Sequence, residues 1–209
     1  MKHIKNIVFD LGGVLVDLAI EPALKAFAQL GLNPLPSPEA GWGDFGQVIH
    51  RMDCGDISTQ EFLILLRQRC RPGVSDEDLT KAFNRVIVLP RQRMELLLQL
   101  RKQYHLYLLS NLSQLHWEET CRQAEALGIP FAACFDGLYL SYQLRMAKPD
   151  THIYQHLIQD TGIIPEETLY LDDLPENIEA GLRARLQSVK IAPNHLEDSL
   201  PTLFSAILR

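Results

Sequence analysis

Ile4 to Phe9 is a short run rich in Ile, Val and Phe that ends at Asp10, with Gly12-Gly13 just beyond. A brief apolar run closed by a turn predicts a buried strand. From about Ile20 to Val88 the periodicity becomes helical and no strand pattern occurs. Ala23 to Leu30 is amphipathic and is stopped by Gly31, with Pro34 beyond. A loop with Pro34, Pro36 and Pro38 leads into a segment around Trp42 to Met52. Ser58-Thr59-Gln60-Glu61 has the spacing of a capping box and opens a helix to about Arg69. Ser75 with Asp78 opens another, and Pro90 closes the stretch.

After Pro90, helix and strand patterns alternate. Helices are predicted over 91–102, 117–127, 151–161, 175–185 and 196–208. Strands are predicted at Leu106–Leu109, Leu138–Leu140, Leu169–Leu171 and Ser188–Ile191. Alternation of this kind implies a parallel sheet with helices on both faces. The expected architecture is α/β: a doubly wound parallel sheet, residues 1–16 and 90–209, with a small all-helical cap, residues 17–89, inserted after the first strand.

Composition narrows the function classes. The chain has 209 residues, 46% of them hydrophobic and 22% charged, which fits a globular domain with a substantial core. Its formal net charge of −6 disfavours nucleic acid or an anionic membrane surface as the main partner. No apolar run approaches the ~18 residues of a spanning helix. Met1-Lys2-His3-Ile4-Lys5 with the apolar run behind it imitates a secretion signal, but Asp10 and Asp17 interrupt that run, and it reads as the first strand. Cys54, Cys70, Cys121 and Cys134 are scattered and form no metal or disulfide pattern. A cytoplasmic protein with reduced thiols is expected, as a monomer or homodimer.

In open α/β sheets, ligands bind beyond the carboxyl ends of the strands. Three predicted strands end in polar groups: Asp10, Ser110-Asn111 and Asp172-Asp173. A fourth loop carries Lys148-Pro149-Asp150. Carboxylates, a hydroxyl and a lysine around one point suit Mg²⁺ together with a phosphate group. A carboxylate there can also attack phosphorus.

Four segments in this order resemble the haloacid dehalogenase superfamily, in particular its phosphatase-type members with a helical cap. They are Phe9-Asp10-Leu11-Gly12-Gly13-Val14-Leu15, Leu109-Ser110-Asn111, Ala147-Lys148-Pro149-Asp150, and Leu171-Asp172-Asp173 with Asn177 beyond. The resemblance implies a Rossmann-like core and an Mg²⁺-dependent phosphatase acting on a small phosphorylated metabolite, most simply a sugar phosphate. Asp10 would be the nucleophile, and Ser110 and Lys148 would serve catalysis with it. Ser110, Asn111 and Lys148 would bind the phosphoryl group. Asp10, the Gly12 carbonyl, Asp172 and Asp173 would form the metal site, Asp172 orienting its water ligands or Lys148.

Position 12 departs from the pattern. Phosphatases of the superfamily usually carry a second Asp there, which protonates the leaving group, an effect of ~10²–10⁴-fold. Gly12 therefore suggests a good leaving group, such as that of a sugar 1-phosphate. A substitute acid is the other solution, with Asp17, Asp44 and Asp53 as candidates. A catalytically silent metabolite-binding module is the rival reading, and a metal-free 2-haloacid dehalogenase a further one. Elsewhere plain roles suffice. Trp42 and Phe45 read as core, and Asn177 as a loop stabiliser. Arg67, Arg69, Arg71, Arg91, Arg93, Arg101 and Lys102 read as solvated faces.

Overall fold

The computed structural model describes residues 4–33 and 43–204. Its strands are β1 (Asn6–Phe9), β2 (Asp17–Leu18), β3 (Ile87–Val88), β4 (His105–Ser110), β5 (Gly137–Leu140), β6 (Thr168–Asp172) and β7 (Gln187–Lys190). Its helices are α1 (Ile20–Gln29), α2 (Gly43–Asp53), α3 (Thr59–Arg67), α4 (Asp76–Asn84), α5 (Arg91–Leu100), α6 (Gln114–Ala126), α7 (Ser141–Leu144), α8 (Thr151–Thr161), α9 (Pro175–Arg183) and α10 (Leu196–Phe204). Trp42 lies outside the described residues, as does the side chain of Asp44.

Five strands form one parallel sheet in the order β5-β4-β1-β6-β7. The alternation of side chains along each strand feeds two apolar layers. Ile7, Phe9, Leu106, Leu108, Leu169 and Leu171 pack on one face with Met94 and Leu97 of α5 and Leu196 of α10. Val8, Tyr107, Leu109 and Tyr170 pack on the other with Ile153, Tyr154 and Leu157 of α8 and Ala180 of α9. Burial on both faces explains why these strands are almost wholly apolar. The chain leaves β1 for β4 and β5 on one side and returns to β6 and β7 on the other. The strand order thus reverses at β1, which places a crevice at its carboxyl end.

The helices α1 to α4 bury an apolar cluster of their own, with Phe27, Phe62, Leu66, Leu79 and Phe83 at its centre. Leu115 of α6 joins that cluster and ties the insertion to the sheet. Ser58 and Glu61 form the expected capping box at the start of α3. Ser75 caps α4 by accepting from the Asp78 N–H.

Two sequence expectations are corrected. Residues 20–88 do contain a strand: Ile87–Val88 pairs antiparallel with Asp17–Leu18, where the chain leaves the sheet and returns to it. A two-residue strand is too short to show alternation. Arg93 is not on a solvated face. It is 2% exposed, its guanidinium held by Asp17 at 2.8 Å, Glu197 at 2.8 Å and the Asn194 carbonyl at 2.8 Å. It joins α5, the β2 ribbon and the C-terminal helix, and the acids that bury it come from segments far away in sequence.

Candidate active site

The sheet register explains how separate segments converge. Phe9 lies opposite Leu108 of β4 and Leu171 of β6. Asp10, Ser110 and Asp172 therefore emerge at nearly the same height along three adjacent strands. The oxygens of Asp10, Asp172 and Asp173 come within 4.8 Å of one another. Lys148 enters from the loop between α7 and α8. Its ammonium lies 2.8 Å from Asp10 Oδ1 and 2.6 Å from Asp172 Oδ2, and it is only 4% exposed.

Asn111 holds that lysine in place. The Lys148 N–H donates to Asn111 Oδ1 at 2.9 Å, and Asn111 Nδ2 donates to the Lys148 carbonyl at 2.8 Å. The Asn111 side chain is thus occupied, leaving its main chain and the Ser110 hydroxyl as the groups available to a ligand. Ser110 also hydrogen-bonds the Asp10 carboxylate.

Asp172 is fully buried and saturated with donors. Its Oδ1 accepts from the Leu174 N–H at 2.9 Å and from Asn177 Nδ2 at 3.0 Å. Its Oδ2 accepts from Lys148 and from the Tyr170 hydroxyl at 2.5 Å. Burial works against its charge, but the Lys148 ammonium and these hydrogen bonds hold it below the ordinary carboxylate range. Tyr170, which no sequence motif marks, and Asn177 both act on this acid.

Burial pushes Asp10 upward, opposed by Lys148. Burial raises Lys148's cost of charge too, yet Asp10 and Asp172 more than offset it and hold the amine well above its usual value. Asp173 is half-buried and is pushed up to about 6, first by burial and then by repulsion from Asp10 and Asp172. Three acids against one lysine leave an excess of negative charge, which a divalent cation would relieve. The donors on offer there are oxygens, which suits Mg²⁺. The backbone agrees: Gly13 sits at φ +73°, and a Cβ there would stand 2.5 Å from Asp173 Oδ2. The space that keeps Asp173 facing Asp10 exists only because residue 13 has no side chain.

Asp17, one candidate for a substitute acid, is engaged by Arg93. Asp53 behaves differently. It lines a cavity with Gly12, Ser110 and Asn111, and its Oδ1 is shielded from solvent without a hydrogen-bond partner among the described residues. His116, which the sequence reading did not single out, lines the same cavity.

Known proteins resemble this chain along most of its length. A D-ribitol-5-phosphate phosphatase of Bacteroides thetaiotaomicron is 37% identical over 183 residues, 85% of this chain and 87% of that protein. A solved HAD family enzyme of Bacteroides thetaiotaomicron superposes with a TM-score of 0.86 at 30% identity, covering 97% of this chain and 99% of that one. The wild-type form of that same enzyme, solved with magnesium and inorganic phosphate, superposes with a TM-score of 0.82 at 30% identity, over 92% and 96% of the two chains. The haloacid dehalogenase-like hydrolase family matches residues 4–185. With that span matched and the strand-end acids gathered at one point, the chain belongs to the haloacid dehalogenase-like hydrolases.

Proposed function

We propose that this chain, a phosphatase-type hydrolase of that family, releases inorganic phosphate from a small phosphorylated sugar or polyol. The observation that carries this reading is the convergence of Asp10, Asp172 and Asp173 on one point, with Lys148 buried between two of them. Asp10, Asp173 and the Gly12 carbonyl would hold Mg²⁺, with Asp172 behind them, its oxygens already taken by protein donors. When bound there, the ion supplies positive charge to phosphoryl oxygens that would otherwise be repelled.

Asp10 attacks phosphorus in line, forming an aspartyl phosphate as the ester bond breaks. Water then releases phosphate and restores the carboxylate. Lys148 neutralises charge on Asp10 and the incoming phosphoryl group, and Ser110 and the Asn111 N–H orient its oxygens. Such catalysis is mostly positioning and electrostatics, which a pre-assembled, buried site provides. The helices α1–α4 serve as the cap (residues 17–89) and shape the room for the alcohol portion. Among the described residues no helix is long and apolar enough to cross a membrane. We place the enzyme in the cytoplasm, as a monomer or homodimer.

The test is phosphate release from a panel of metabolites, D-ribitol 5-phosphate and paired sugar 1- and 6-phosphates among them, with and without Mg²⁺. Turnover that requires the metal and disappears in Asp10→Asn is expected. An Asp10→Asn variant with full activity would overturn the nucleophile assignment. Binding of a metabolite without turnover would favour the silent-module reading that Gly12 motivates.

A further inference from the structure

A cavity of about 200 Å³ lies between the helical insertion and the strand ends, lined by Gly12, Ser110 and Asn111 from the sheet side and by Asp53 from α2. Most of its wall is apolar, including Leu18, Ile49 and Phe83. Two shielded polar atoms in that wall, Asp53 Oδ1 and His116 Nε2, have no hydrogen-bond partner among the described residues. Leaving such groups unpaired is costly, so a ligand that pairs them recovers that deficit.

His116 is prepared as an acceptor. Its ring stacks on Phe83 with centroids 4.1 Å apart. The Phe83 carbonyl takes a hydrogen bond from the ring, and burial pushes the imidazole down to about 4, so it is neutral. With Nε2 free, the proton sits on Nδ1 and the Nε2 lone pair remains for a hydroxyl in the cavity.

Asp53 is fixed relative to the phosphate-binding loop. It is the last residue of α2, and its carbonyl accepts from the Ser141 hydroxyl. The same Ser141 oxygen accepts from the Leu112 N–H at 3.0 Å, two residues beyond Ser110. Gly12, where an acid is missing, faces the same space: a Cβ there would meet the Leu18 side chain at 3.4–3.8 Å. The cavity wall thus lacks a carboxyl on the sheet side and receives one from the insertion.

Resting on the phosphatase reading, we propose that Asp53 is the acid–base residue of this hydrolase, protonating the leaving alcohol in place of residue 12. As the Asp10 carboxylate oxygen bonds to phosphorus, the bond from phosphorus to the ester oxygen breaks. The Asp53 proton passes to that oxygen and the alcohol leaves. The Asp53 carboxylate then takes a proton from the water that attacks the aspartyl phosphate. Phosphate leaves, and Asp10 is free with Asp53 reprotonated. The sum is ester plus water giving alcohol plus phosphate. Burial pushes the Asp53 carboxyl up to about 7, so it can hold a proton at neutral pH and yield it.

The experiment compares D-ribitol 5-phosphate, whose alkoxide needs a proton, with para-nitrophenyl phosphate, whose phenolate does not. Both are assayed with Mg²⁺ in the wild type and in Asp53→Asn. The ratio of alkyl to aryl kcat/KM, which reports only the step that forms the aspartyl phosphate and not the hydrolysis the two esters share, is expected to fall by about 10²–10⁴-fold in the variant. Asp53→Ala serves the same comparison if the amide variant does not fold. An unchanged ratio, with both esters slowed alike, would overturn the proposal and leave Asp53 a structural residue. Failure of the wild type to hydrolyse either ester would instead remove the phosphatase reading itself.

Discussion

Gly13 offers a measurement that separates backbone strain from metal binding. In Gly13→Ala the new Cβ would stand 2.5 Å from Asp173 Oδ2 and 3.0 Å from Asp173 Cγ. Ordinary contacts lie near 3.5 Å, so the carboxylate must retreat by about 1 Å. Mg²⁺ demands near-ideal octahedral geometry at about 2.0–2.1 Å and does not tolerate such a shift. Disturbing the support of a metal ligand typically costs about 10–100-fold in affinity, and a loss of that order is expected here. Gly128→Ala is the control, because Gly128 has φ +77° and nothing within 4 Å of the added Cβ. Both variants force an L-residue into the left-handed region, at about 1–2 kcal/mol. For a chain of this size that lowers the melting temperature by roughly 2–4 °C per kcal/mol. Calorimetric Mg²⁺ titration and thermal melts of the two variants should therefore show similar losses of stability but divergent metal affinities. Equal Mg²⁺ affinities in the two would refute the idea that Gly13 exists to make room for a metal-binding Asp173.

Further outcomes follow from the same contacts. Lys148→Met leaves Asp10 and Asp172 buried without their cation, which should cost about 3–5 kcal/mol without metal. Added Mg²⁺ should raise the melting temperature of that variant more than that of the wild type; an equal rise would contradict the shared-charge account. Arg93→Met removes the shared cation of Asp17 and Glu197, both partly exposed to water, and should cost less, about 1–3 kcal/mol, read in denaturant unfolding. The loss should appear at every metal concentration, because Arg93 does not touch the site. Asp53 gives a pH signature: its value in the fold, about 7, is raised above the unfolded value near 4. The folded state then binds the extra proton, so this group's contribution to stability falls as pH rises from about 4 to 7. Melts at pH 5 and pH 8 should show a smaller drop in Asp53→Asn than in the wild type, and an identical drop would show that Asp53 is not buried as described.

Much of the fold is legible in the chain because its regular parts obey local rules. The doubly buried strands are continuous apolar runs, and helices α3 and α4 announce themselves by side-chain caps. Asp10, Ser110, Lys148 and Asp172-Asp173 could be read as one site because strand ends on a parallel sheet share an edge. What escaped has no local signal. Arg93 reads like any surface arginine until Asp17 and Glu197 close on it from opposite ends of the chain. Tyr170 sits within an apolar strand, where its ring belongs to the core and only its hydroxyl serves Asp172. His116 lies mid-helix with no motif around it. Its importance arises from stacking on Phe83, a contact between two segments that only the packing of the insertion creates. Asp53 is one of the carboxylates that the missing acid at residue 12 brings forward, but its separation from Asp17 depends on the hold of Arg93 on Asp17, a contact made only in the folded chain.

The Ser141 hydroxyl carries one more implication. It is the shared joint between the end of α2 and the loop that follows Ser110. An excursion of the lid wide enough to admit a metabolite would break that joint and withdraw the proton donor from the nucleophile. The seated lid would then act as an interlock: transfer begins only once the chamber is shut, and a phosphorylated Asp10 in an open molecule would wait for reclosure before water could discharge it.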